Sequence, residues 1–89
     1  MEIDYHPDVI RFDIPRLDKS IRIRVKESIK NKLSNPEILL GTPLRGVLHQ
    51  YWKIRVGDYR VIYAIVKDKI KVVIIDHRKD VYKNILKRI

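Results

Sequence analysis

The stretch KIRVGDYRVIY, Lys53 to Tyr63, decides the fold. Apolar and polar residues alternate on either side of Gly57-Asp58, and a glycine there can take a positive φ. A two-residue turn fixes the register of the hairpin it closes. It predicts Val56 opposite Tyr59, Arg55 opposite Arg60, Ile54 opposite Val61 and Lys53 opposite Ile62. Successive side chains of a strand point to opposite faces. One face is therefore Trp52, Ile54, Val56, Tyr59, Val61 and Tyr63, which is a core face. The other carries Tyr51, Lys53, Arg55, Arg60, Ile62 and Ala64.

That second face sets two arginines side by side. Like charges directly across a sheet cost a few tenths to about 1 kcal/mol. An anion held between the two guanidinium groups would reverse the sign, because each presents a planar fork that fits phosphate. The alternative is that both side chains splay into water at little cost.

Downstream, Lys67-Asp68-Lys69 marks a second reversal, and IKVVIID, Ile70 to Asp76, is a β-branched third strand. Pairing Lys67 with Ile70 keeps Lys71 off the core face and puts Ile70, Val72 and Ile74 on it. This register sets Ala64 opposite Val73, Ile62 opposite Ile75, and Arg60 opposite His77, with Arg78 just beyond; a bulge near Asp76 would shift it. DVYKNILKRI, Asp80 to Ile89, reads as a helix. Asp80 is its expected cap, and Val81, Tyr82, Ile85, Leu86 and Ile89 form its apolar face. Arg78 and Tyr82 flank the start of this helix, where free N–H groups favour anions.

Upstream, Ile3 and Tyr5 alternate with Glu2 and Asp4 in a short first strand. His6-Pro7-Asp8 begins a helix, which Pro15 interrupts or ends. Asp18 is an N-cap for a second helix with an apolar stripe of Leu17, Ile21, Val25, Ile29 and Leu33. Asn35-Pro36 stops it, and GTPLRG, Gly41 to Gly46, is loop-like. The whole is one α+β domain, residues 1–89. A small antiparallel sheet combines the N-terminal strand with a three-stranded C-terminal meander. A helical pair packs on one face, and a short helix ends the chain.

Twenty Lys and Arg against eleven Asp and Glu give a net charge of +9. Such a field attracts polyanions. Nucleic acid is a better match than an anionic membrane surface, because the cations are not confined to one amphipathic helix. There is no cysteine, which excludes disulfides and thiolate metal sites and fits a cytoplasmic protein. The N-terminus lacks the pattern of a signal peptide, and the apolar runs are too short to cross a bilayer. His6, His49 and His77 are scattered, with no closely spaced carboxylates, so no metal or other cofactor is expected. One surface thus gathers Lys53, Arg55, Arg60, His77, Arg78 and Tyr82: cations, an imidazole and a phenol, equipment suited to phosphodiester chemistry.

The motifs LRG, YWKIRVGDYRVIY and IIDHRKDVY, in this order, resemble RelE-type toxins of the RelE/ParE superfamily. The order of elements along nearly the whole chain agrees. The resemblance implies a ribosome-dependent endoribonuclease that cuts mRNA in the ribosomal A site and is neutralised by a cognate antitoxin. It implies that Lys53 and Arg55 match the paired basic positions of the second strand and Arg60 the arginine after the turn. Arg78 matches the late basic position and Tyr82 the C-terminal tyrosine. Arg45 joins Lys53, Arg55, Arg60 and Arg78 as an expected RNA contact. The turn is shorter than in the best-known relative, and some relatives lack a histidine at the position of His77. Candidates for proton transfer are His77, Lys53 and Tyr82. Two rival readings share the fold: a ParE-like inhibitor of DNA gyrase, and a non-catalytic RNA-binding module or decayed toxin.

Overall fold

The computed structural model describes residues 2–33 and 42–89. Five strands form one sheet in the order β1-β5-β4-β3-β2. These are β1, Glu2–Tyr5; β2, Thr42–Pro43; β3, Tyr51–Val56; β4, Tyr59–Val66; and β5, Lys69–His77. The expected meander β3-β4-β5 is its antiparallel centre. β1 joins along β5 as a parallel edge strand, with Ile3 beside Ile70 and Tyr5 beside Val72. Thr42 and Pro43, read from the sequence as part of a loop, instead pair with Lys53 and Trp52. Proline is tolerated there because an edge strand has N–H groups to spare.

A π-helical turn, Val9–Asp13, runs into α1, Ile14–Arg16. The wider turn, closed by the Ile14 N–H bonding to Val9 O, lies directly before Pro15. Proline has no N–H to give, and a π turn is one way a helix absorbs that loss. The second helix, α2, spans Lys19–Leu33. Asp18 caps it as expected: its Oδ1 accepts the Ile21 N–H at 3.0 Å and the Ser20 hydroxyl at 2.9 Å. The expected stop at Asn35-Pro36 lies outside the described residues. The last helix, α3, spans Val81–Arg88; Asp80 holds its N-cap position without a side-chain capping bond.

Both faces of the sheet are covered. On one, Leu17, Val25, Ile29 and Leu33 pack on Ile54, Val56, Val61, Tyr63, Ile70, Val72 and Ile75. On the other, Val81 and Ile85 of α3 pack on Ile62, Val73 and Ile74, with Leu44 and Leu48 alongside. Tyr82 and Leu86 of α3, and Ile89 just after it, remain exposed.

The β3–β4 register is the one that Gly57-Asp58 demands: Arg55 faces Arg60 and Lys53 faces Ile62. The β4–β5 register differs from expectation. The turn is Lys67-Asp68, with Val66 opposite Lys69, Ala64 opposite Lys71 and Tyr63 opposite Val72. An irregularity at Ile62/Tyr63 then shifts the ladder, so that Ile62 faces Ile74, Val61 faces Ile75 and Arg60 faces Asp76. A bulge inserts one residue and reverses which face the following side chains take. Lys71 stays off the helix-packed core, as patterning required. Ile74 turns to the α3 face and Ile75 to the core. His77 ends up opposite Tyr59, not Arg60.

Candidate functional site

The hairpin and α3 build the site. Lys53 stands on β3 with its side chain on the α3 face, and Tyr82 occupies the first turn of α3. Lys53 Nζ donates to Tyr82 Oη at 2.9 Å and lies 5.5 Å from the centroid of its ring. The helix reaches this place because Val81 and Ile85 are fully buried against the sheet. Neighbouring Tyr82 is thereby left at the surface, 37% exposed.

Arg55, two residues along the same face of β3, is exposed. Its partner Arg60 is not: it is 6% exposed, and its Nη1 donates to the carbonyls of Gly57 at 3.0 Å and Tyr59 at 2.9 Å. Asp76 is its cross-strand neighbour on the other side. The two arginines therefore avoid one another without an anion between them. Arg78 is anchored at the hairpin tip by its backbone N–H, which bonds to Asp58 O at 2.8 Å. Its Nε lies 3.9 Å from Asp58 Oδ1, and both side chains are more than half exposed. From α2, Arg24 brings its guanidinium to the same tip, where a Cβ on Gly57 would sit 3.3 Å from its nitrogens.

His77 and Arg45 are not part of this face. The shift in the β4–β5 ladder turns His77 toward α1. Its ring meets Tyr59 edge-on at 5.4 Å, and its Nδ1 accepts the Lys79 N–H at 3.1 Å. The expected neighbour of Arg60 is thus a histidine bracing the end of β5. Arg45 is exposed after Leu44, whose N–H bonds to Tyr51 O at the beginning of β3. Arg55 lies near the opposite end of that strand. The structure thus joins Lys53 and Tyr82, with Arg55 two residues along the same strand face, Arg60 beneath the turn and Arg78 beside Asp58 at the hairpin tip.

A second polar cluster escaped the sequence. Asp13 is 4% exposed and receives the guanidinium of Arg88 through two bonds, Nη1 to Oδ2 at 2.6 Å and Nη2 to Oδ1 at 3.0 Å. Asp13 Oδ2 also accepts the Ile75 N–H at 2.9 Å, and Arg88 Nη1 donates to Val73 O at 3.0 Å. Pairing with Asp13 pushes the Arg88 pKa above its already high ordinary value. Nearby, Asn84 Nδ2 donates to Asp76 Oδ2 at 2.6 Å.

The family described as the ParE toxin of type II toxin–antitoxin systems, parDE, matches residues 3–82. The chain belongs to that family. The toxin is 36% identical over 75 residues to Toxin RelG of Mycobacterium tuberculosis, a match covering 82% of this chain and 86% of that one. Its fold is similar to the solved RelBE2 toxin–antitoxin complex of Mycobacterium tuberculosis. There the TM-score is 0.74 at 28% identity, covering 86% of this chain and 96% of that one. The RelB–RelE antitoxin–toxin complex of Methanococcus jannaschii shares the fold, with a TM-score of 0.71 at 24% identity over 91% of this chain and 96% of that one. The toxin is thus a type II toxin of the RelE/ParE superfamily. Among its described residues no helix is long and apolar enough to cross a membrane.

Proposed function

We propose that the toxin is a ribosome-dependent endoribonuclease that cuts mRNA in the ribosomal A site and so stops translation in the cytoplasm. The observation that carries this reading is the Lys53–Tyr82 contact at 2.9 Å on the basic hairpin face. The 36% identity to a Rel toxin supports the RelE-type branch.

RNA can be cut by its own 2′-hydroxyl. The 2′-oxygen forms a bond to the adjacent phosphorus, and the bond from phosphorus to the 5′-oxygen breaks. One group must take the 2′-hydroxyl proton and another must return a proton to the 5′-oxygen. Lys53 supplies N–H donors and Tyr82 both a donor and an acceptor. With Lys53 as ammonium and Tyr82 as phenol both groups are proton donors, so one of the two must lose its proton before it can take that of the 2′-hydroxyl while the other protonates the 5′-oxygen; pH–rate profiles of Lys53→Ala and Tyr82→Phe assign which. Arg55 is exposed and Arg78 is held only by an exposed 3.9 Å ion pair with Asp58, so both can turn to phosphate oxygens. Arg60 contributes a fixed charge beneath the turn, a preorganised donor that need not rearrange as charge develops. Its replacement by alanine lowers the cleavage rate by about 10² to 10³ in the folded protein. Arg45, farther along, extends the RNA-binding surface.

A cognate antitoxin neutralises the toxin. A net charge of +9 favours an acidic partner segment, and the edge strand β1 offers backbone groups for pairing.

Primer extension on an mRNA with and without ribosomes tests the reading. Cuts occur only with ribosomes, persist in chelator, and weaken by about 10² to 10⁴ in Lys53→Ala. The match to the ParE family over residues 3–82 favours a second reading, inhibition of DNA gyrase. Lost supercoiling activity with mRNA left intact would establish it. Lack of both effects would favour a binding module without chemistry.

A further inference from the structure

We propose that the buried Asp13–Arg88 pair is a positioning device for the hairpin face: it fixes α3, and through it Tyr82, against Lys53. The proposal rests on the reading of that face given above.

Tyr82 is held in place by the pose of its helix. α3 has only eight residues, Val81–Arg88, too few to be stable alone in water. Two of its side chains, Val81 and Ile85, are buried. Burial of that kind is non-directional and tolerates rotation. The polar contacts do not. Arg88 enters a two-bond fork with Asp13 and a third bond with Val73 O, and forks of this type are geometrically specific. Asn84 adds a bond to Asp76 one turn earlier.

The pair is also built into the sheet. β1 pairs with β5 only as far as Val72. Beyond it, Asp13 takes the Ile75 N–H and Arg88 takes the Val73 carbonyl. Asp13 comes from the helical layer on one face and Arg88 from the helix on the other. Together they close the free edge of β5 and set the angle of α3 on the sheet. A rotation of about 20° would move a side-chain tip, about 5–6 Å from the helix axis, by about 2 Å. That is enough to break the contact between Lys53 and Tyr82. Misplacement of a reacting group by about 1 Å can cost 10²-fold in rate.

The test compares full-length wild type with Asp13→Asn and Arg88→Lys, each at a temperature where it is folded. Asp13→Asn removes the charge. Arg88→Lys keeps the charge and removes the fork, so it carries the test if Asp13→Asn does not fold. Two readouts are taken: the nuclear Overhauser effect between the Tyr82 ring and the Lys53 side chain, and kcat and KM for cleavage on programmed ribosomes. The proposal expects the Lys53–Tyr82 effect to vanish and kcat to fall about 10- to 100-fold, with KM changed less than about twofold. A lowered melting temperature with the proton contact and kcat of the folded molecules unchanged overturns it. If wild type cuts no RNA but the variants still lose the proton contact, the positioning role stands and the cleavage reading falls.

Discussion

Arg55 and Arg60 are direct partners across the β3–β4 hairpin, yet only Arg55 faces solvent. Arg60 is satisfied by two carbonyls of its own turn, and this removes the like-charge conflict. The two residues should therefore separate in their effects. Arg55→Ala changes stability by less than about 0.5 kcal/mol, as exposed sites do. Arg60→Ala costs about 1.5–3 kcal/mol, the range for hydrogen bonds to a charged group. Urea unfolding of both variants measures the difference, and equal losses would refute it.

The two hairpins make opposite glycine predictions. Gly57 sits at φ +60° and Lys67 at φ +57°, each at the first turn position. A left-handed conformation costs a residue with a Cβ about 1–2 kcal/mol. Gly57→Ala should destabilise by about that much, since the nearby Arg24 guanidinium is a flexible end that can move aside. Lys67→Gly should stabilise by a few tenths to about 1 kcal/mol, after the greater freedom of glycine in the unfolded chain is counted. Thermal unfolding checks both signs. A Lys67→Gly variant that melts lower than wild type would contradict the argument.

These turns also show why half of the sheet was legible and half was not. Gly57-Asp58 admits one register, and alternation from Trp52 to Tyr63 confirmed it from both sides. Val72-Val73-Ile74-Ile75 is apolar throughout because α3 covers one face and the α1–α2 layer the other. Such a run has no alternation to read, so patterning does not locate the bulge, and the unbulged register sets His77 beside Arg60 where the structure has it beside Tyr59. The nearness of Lys53 to Tyr82 is legible because one belongs to the readable hairpin and the other to a short amphipathic helix. Asp13 and Arg88 are 75 residues apart, and no local spacing links them. Only the position of Asp13 between Phe12 and Ile14 hinted that a carboxylate was being buried.

Acid should weaken the N-terminus of α2. The Ile21 N–H and the Ser20 hydroxyl hold the Asp18 carboxyl below its ordinary pKa. A carboxylate with a lowered folded pKa adds stability above the unfolded value, about 3.9. That stability is lost as pH falls through the lower folded value. Asp18→Asn keeps a capping oxygen but cannot titrate. The stability advantage of wild type over Asp18→Asn should therefore be constant above about pH 5 and decline below about pH 4. Melting temperatures from pH 7 to pH 2.5 test this. A gap that widens on acidification would reverse the assigned sign.

Replacing both members of the Asp13–Arg88 pair should be milder than the sum of the single losses. Arg88→Met leaves the buried Asp13 charged and unpaired, at about 3–5 kcal/mol. Asp13→Leu leaves Arg88 with Asp8, whose Oδ2 lies 3.9 Å from its Nε, and should fall toward the lower end of that range. The double variant leaves no buried charge, which elsewhere can be nearly neutral. Here it also strands the Ile75 N–H and the Val73 carbonyl, which the pair satisfies. Each stranded group costs about 1–3 kcal/mol unless water reaches it. The double variant should accordingly lose about 2–6 kcal/mol, against about 6 kcal/mol or more for additive single losses. A double-mutant cycle by urea unfolding measures the coupling. Additivity within about 0.5 kcal/mol would mean that the fork contributes no more than its separate contacts to the sheet edge.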